Sequence, residues 1–181
     1  DWYDLLIRQG SLQNYQFNIS GGTEKTTYSF SADMRDEKGI LKLDNYRKYG
    51  IRTSVDHQIA KWLKAGVSLQ YSRGVRERRN NPLGRAAISP IAEAYDSLGN
   101  IVLYPLDDGR NVSPLADEAP GVYEHKFYTN RFFSSNYLEL KIIEGLVLKS
   151  TLGLNISNEF EGLFADQWSL DRQGEPSRAY I

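Results

Sequence analysis

Three groups of side chains in this 181-residue chain have chemistry suited to binding. The first is Tyr95, Tyr104, Asp107 and Asp108, with Arg110 and Tyr123 in the same stretch and Phe164, Trp168 and Asp171 further on. Aromatic rings stack on sugar faces and carboxylates accept hydroxyl protons, so these types together point to a saccharide site. Packing within the loop, or contact with a partner lid, is the simpler account of the same residues. Asp107 and Asp108 also offer oxygens to Ca²⁺, but two adjacent acids fall far short of a metal signature. The second group is the basic run Arg73, Arg76, Arg78 and Arg79, with Arg85 nearby. Guanidinium groups bind oxyanions in a planar, bidentate way; a solvated charge run is the simpler alternative. The third is Trp62, exposed by its place in a short turn motif, where an indole serves as an anchor or as turn packing.

Catalysis is poorly supported. The chain has no Cys and only two His, His57 and His125, far apart in sequence. It has no Gly-rich phosphate loop, no zinc spacing and no Ser nucleophile elbow. A glycosidase needs only two carboxylates, so inventory leaves that option open but without support. No cofactor and no metal is indicated. Lys+Arg is 22 against Asp+Glu 23, a net charge of −1, which argues against nucleic acid as a partner. Apolar residues at 40% and charged residues at 25% describe a folding chain rather than a disordered one. The longest charge-free run, Gln9 to Thr23, is mostly polar, so no membrane-spanning helix is expected. With no starting Met and no secretory-type N-terminus, the chain reads as a mature protein or a piece of a larger one.

The elements that position these residues are strands. Tyr15, Phe17 and Ile19 alternate with Gln16, Asn18 and Ser20; after Gly21-Gly22, Tyr28, Phe30, Ala32 and Met34 alternate with polar residues. Successive strand side chains point to opposite faces, so each run makes one apolar and one polar surface. Two such runs about a Gly-rich turn predict a hairpin. The pattern returns at Tyr49–Asp56 with Ala65–Ser72, joined near Ala60–Leu63, and at about Arg131–Ile143 with Leu146–Glu159, joined at Glu144-Gly145. The expected fold is therefore all-β: an antiparallel up-and-down meander of about six long strands in three hairpins. Between the second and third hairpins lies an irregular stretch, roughly Val75–Tyr128, holding five of the six prolines. A short helix around Arg85–Ala94 is allowed there, limited by Pro90.

Connections alternate in length: short near residues 22, 61 and 144, long near 36–46, 75–128 and after 160. One end of the sheet is then all tight turns and the other all long loops. Transmembrane β-barrels have that asymmetry, and strands of ten or more residues suit the ~9–11 that cross a bilayer. A soluble β-sandwich, for example a carbohydrate-binding module or an adhesin fragment, shows the same alternation.

An ordered series of short motifs carries a resemblance. Asp1-Trp2-Tyr3-Asp4, Arg8-Gln9-Gly10 and Gln13 through Gly22 are similar to the start of the barrel in SusC/RagA-type TonB-dependent outer-membrane receptors. Asp36-Glu37-Lys38-Gly39-Ile40, Trp62-Leu63-Lys64, Tyr95 through Asn100, Ser113-Pro114-Leu115-Ala116 and Tyr137 through Leu146 continue the series, although the family more often has Asn-Pro-Leu than Ser-Pro-Leu. The resemblance implies an incomplete slice of a 22-stranded outer-membrane barrel, from the N-terminal half of that barrel. It implies one partial barrel segment over 1–181: an outer loop at 1–11, four strands at 12–74, a long extracellular loop at 75–128, two strands at 129–160 and an outer loop at 161–181. The strands would be about the second to seventh. It also implies nutrient import, of glycans or peptides, with a SusD-like surface lipoprotein and, through parts not in this chain, the TonB complex. The apolar stripe would face outer-membrane lipid. Trp62 would sit at the periplasmic interface, and Arg73, Arg76, Arg78 and Arg79 at the outer rim, against lipopolysaccharide phosphates. Cut from its barrel, the segment is expected to hide its apolar stripe by self-association.

Overall fold

The computed structural model describes all 181 residues. Seven strands form one antiparallel sheet in chain order. They are β1 (Ser11–Gly22), β2 (Thr26–Lys38), β3 (Asn45–Ala60), β4 (Leu63–Glu77), β5 (Tyr123–Ile143), β6 (Leu146–Ala165) and a short β7 (Arg178–Tyr180). A five-residue helix, α1 (Trp2–Leu6), precedes them. The meander expected from alternation is present, with the seventh strand added at its edge. No second sheet packs on the first, so the sandwich alternative is set aside.

Strand pairing sorts the side chains into two faces. Directly opposed residues in an antiparallel pair share a face. Phe17, Ala32, Ile51, Tyr71, Phe132 and Ile156 form one such row across six strands. Ile19, Phe30, Thr53, Leu69, Ser134 and Leu154 form the next. The other face carries Asn18, Ser31, Arg52, Gln70, Phe133 and Asn155. Within one copy nothing covers the apolar face: Phe17 is 58% exposed, Ile51 51% and Leu152 71%. An uncovered apolar surface of this extent is far larger than a soluble monomer tolerates.

The tight turns lie at one end. β3 and β4 are joined by Lys61-Trp62, and β5 and β6 by Glu144-Gly145, where Gly145 adopts a left-handed φ of 83°. That conformation costs a side-chain-bearing residue and suits Gly. The longer connections, 39–44, 78–122 and 166–177, lie at the opposite end with α1. The small core is there too. Trp2, Leu6, Ala86 and Leu115 form one buried cluster, and Val112, Ala116 and Leu170 another. No helix spans 85–94; the chain makes only a 3-10 turn at Leu83–Arg85, and Pro90 lies in irregular structure. A proline there removes a backbone donor that a helix would need.

One close approach within the sheet depends on glycine. Tyr137 of β5 lies across Gly66 of β4 and donates its hydroxyl hydrogen to the Asp56 carboxylate. Lys149 stands 4.2 Å from the ring centroid on the next strand. A Cβ at residue 66 would overlap the ring. Gly66→Val is expected to evict Tyr137, break its bond to Asp56 and destabilise the sheet by about 1–3 kcal/mol, as overpacking does. Urea unfolding of the refolded barrel measures this; an unchanged midpoint would show that the ring has room to move.

Candidate functional site

The end of the sheet that bears the long connections brings most of the chemistry together. Asp1 caps α1, its carboxylate accepting from the Tyr3 backbone N–H at 3.0 Å. Trp2 and Leu6, one helical turn apart, both point into the 78–122 segment, and the Trp2 indole N–H donates to the Ser89 carbonyl at 3.3 Å. The segment is thus clamped on the N-terminal helix, 87 residues away in sequence.

A buried ion-pair network fastens it to the sheet. Arg79 has a fully buried side chain. Its Nη1 donates to Glu118 Oε1 at 2.8 Å and to the Lys42 carbonyl at 3.2 Å, and its Nη2 to the Pro114 carbonyl at 3.2 Å. Lys42 Nζ reaches the other Glu118 oxygen at 3.0 Å. Arg79 is therefore a structural clamp, not a rim residue open to lipid phosphates, which corrects the expectation for it. It lies beyond the end of β4, where alternation no longer fixes a side chain's direction.

The rest of the basic run divides between the faces. Arg73 is on the apolar-face side, opposite Tyr49 and Asn130, with its guanidinium 5.9 Å from the Tyr128 ring. With Arg8, Lys38 and Arg47 it lines a depression of about 490 Å³. Arg76 follows the even-numbered parity of β4 onto the polar face, and Arg78, one residue past the end of β4, lines the same depression with its guanidinium 5.8 Å from the Phe127 ring. They stand on the opposite face from Arg73, so the four arginines do not form the single cluster expected of them. Odd and even positions of one strand cannot share a face.

The aromatic and acidic group does not close into one pocket. Tyr104 and Trp168 meet edge to face, ring centroids 5.8 Å apart, so each ring spends one surface on the other. Tyr95 belongs to a separate small bridge with Ile101. Asp107 is exposed in a left-handed conformation. Asp108 holds its own turn, accepting from the backbone N–H groups of Arg110 at 3.0 Å and Asn111 at 2.9 Å and from the Asn111 amide. Asp96 does the same for Leu98 and Asn100. No group of three His, Asp or Glu side chains is placed to hold a metal ion.

Asp117 was missed as a key residue. It is buried, and its Oδ1 accepts from the Leu170 backbone N–H at 2.8 Å, docking the 166–177 connection. Its other oxygen has no partner. The only signal for it was the adjacent acids Asp117 and Glu118 following the apolar Pro114-Leu115-Ala116.

These acids respond to pH in opposite senses. Burial raises the Asp117 pKa above the ordinary carboxylate value. The Asn100 side chain, then backbone N–H donors, lowers that of Asp96; the backbone N–H groups of Asn111 and Arg110, then the Asn111 side chain, lower that of Asp108. A lowered folded pKa contributes stability above the unfolded pKa that is lost as pH falls through the folded value; a raised one contributes most below the unfolded pKa and is lost as pH rises through the folded value. Acidification below about pH 4, the ordinary carboxylate range, should therefore open the turns at 96–100 and 108–111 while the Asp117–Leu170 contact persists. Amide exchange at those three places, corrected for intrinsic rates, checks the order.

Known proteins resemble the chain in sequence and fold. No protein-family model matches it. It is 26% identical to TonB-dependent receptor P3 of Formosa agariphila over 175 residues, covering 91% of this chain and 17% of that protein. It is 24% identical to TonB-dependent receptor P26 of the same organism over 176 residues, covering 93% of this chain and 17% of that one. The structure of the RagAB peptide transporter superposes with a TM-score of 0.71 at 20% identity, over 91% of this chain and 19% of the transporter chain. The closed-closed state of the RagAB peptide importer gives 0.72 at 19% identity, over 92% and 20%. The chain thus spans about a fifth or less of the length of the proteins it matches. Its fold is that of a slice of such a receptor's barrel, and its resemblance is to a fragment of a SusC/RagA-type TonB-dependent receptor. The curated relatives are all named as TonB-dependent receptors.

Proposed function

We propose that this chain is part of the barrel wall of an outer-membrane TonB-dependent receptor that imports nutrients in Gram-negative bacteria. The observation that carries the reading is the uncovered apolar face continued across six long neighbouring strands, backed by a polar face. In a barrel the first faces lipid and the second the lumen. The strands hold 12 to 21 residues, enough to cross a bilayer and continue beyond it. The tight-turn end is then periplasmic, with exposed Trp62 at the interface where an amphipathic ring is favoured. Arg73, on the lipid side at the opposite end, takes the outer interface, close to lipopolysaccharide phosphates. The six long strands take about the second to seventh places of a 22-stranded barrel. The layer formed by α1, 78–122 and 166–177 supplies the outer surface on which a SusD-like lipoprotein rests. Contact with the TonB complex belongs to parts outside this chain. Of glycan and peptide cargo, the solved relatives described as peptide transporters favour peptide.

The full-length gene product tests this. It is expected in the outer-membrane fraction, co-purifying with a lipoprotein, and its deletion is expected to abolish uptake of an oligomeric nutrient. Recovery in the soluble fraction would end the reading.

A further inference from the structure

Arg76 and Arg78 stand two residues apart on the polar face, both exposed, and neither forms an ion pair. Three other cations at this end are paired: Arg79 with Glu118, Arg47 with Asp36, and Lys126 with Glu124 and Glu77. The two arginines line a depression of about 570 Å³ together with Arg35, Tyr46, Phe127 and Glu159. Arg78 lies 5.8 Å from the Phe127 ring, and Arg35 is held at 2.7 Å by Glu37. Same-face positions on a strand are roughly 7 Å apart, so two planar guanidinium groups flank a space the width of one carboxylate.

We propose that Arg76 and Arg78 form a subsite at the mouth of the lumen that grips a carboxylate of a peptide cargo. The proposal rests on the importer reading above and names the cargo chemistry. Guanidinium pairs left open at the surface repel each other and are relieved by an anion. The lining carries Glu37, Asp44 and Glu159 beside its three arginines, so the depression as a whole is formally neutral and disfavours a multiply charged phosphate. Directly across β5 from Arg76 is Glu161, which is held by His125 and Tyr180; Glu159, two strands and two residues away, lies roughly 12 Å from Arg76 and makes no ion pair. A site with free groups of both signs fits a chain that bears ammonium and carboxylate groups together. An acid sugar has only the second. The Phe127 and Tyr46 rings between them supply an apolar bed.

The test uses the full-length receptor and two short glycine-serine peptides with amidated C-termini, one with two glutamates and one with glutamines in their place, so that only the first carries carboxylates. Wild-type receptor is expected to prefer the glutamate peptide, with affinity falling as salt is raised. Arg76→Gln with Arg78→Gln should weaken the glutamate peptide about tenfold or more and leave the glutamine peptide within about twofold, since only charge-assisted bonds are lost. Arg76→Lys with Arg78→Lys should lose less. Heat-modifiable gel migration confirms a folded barrel, and Arg78→Gln alone, beyond the end of β4, serves if the double variant does not fold. Equal binding of both peptides by wild type, or equal loss of both in the variant, overturns the subsite. Tighter, arginine-dependent binding of an oligouronate overturns the peptide assignment. Uptake that still needs the receptor but ignores the glutamates removes the subsite and leaves the importer; uptake that needs no receptor removes the importer.

Discussion

Leu69→Arg is expected to lower the folded fraction of the full-length barrel in the membrane sharply, while Ser68→Arg, one residue away, leaves it nearly unchanged. Leu69 is in the middle of the apolar stripe of β4, opposite Thr53 of β3 and Ser134 of β5, with Val67 and Tyr71 on either side along the strand. A charge on the lipid face at the bilayer midplane costs about 2–4 kcal/mol. Ser68 belongs to the other face, opposite Ser54 and Ser135, where an arginine finds polar neighbours and water. Urea titration of each variant refolded in vesicles gives the two numbers. Similar costs at the two positions would mean that the faces are wrongly assigned.

Glu118→Ala should release the 78–122 segment without unfolding the sheet. Glu118 carries both ion pairs of the clamp, and the Arg79 side chain it neutralises is wholly buried. Removing one member of such a pair strands a charge away from water and costs about 3–5 kcal/mol. Two backbone carbonyls, of Lys42 and Pro114, also accept from Arg79, but they cannot neutralise its charge. Glu118→Gln keeps an acceptor and should be milder. Lys42→Ala should be milder still, because that lysine is partly exposed. The sheet keeps its own ladder of backbone hydrogen bonds, so the loss is local rather than global. Limited proteolysis within 78–122, read beside the global melting temperature, separates the two. Cleavage at the wild-type rate would show that the clamp is dispensable.

The faces of β1 to β4 were legible residue by residue, because alternation is written into each strand. The start of β5 was not. Tyr123 to Tyr128 puts aromatic and charged side chains on both faces, Phe127 on the polar one and Tyr128 on the apolar one, so no period stands out, and the strand begins well before the Arg131 expected. Helix α1 carried a signal in Asp1 as cap and Trp2 and Leu6 one turn apart, but five residues make a marginal helix without tertiary support. The basic run was legible as a cluster and misleading as a site. Its destinations follow from parity for Arg73 and Arg76, from contact with the Phe127 ring for Arg78, and from burial against Glu118 for Arg79.

Sequence alone determined the all-β class, the tight-turn and long-loop ends and the two-faced character of the strands, because a strand's side-chain alternation and a turn's glycine are consequences of local backbone geometry. Tertiary structure alone decided that Arg79 is buried, that Tyr104 and Trp168 meet edge to face and that Asp117 holds a connection more than 50 residues away. Those outcomes depend on which distant groups share a dry environment, and no short window of residues contains that information.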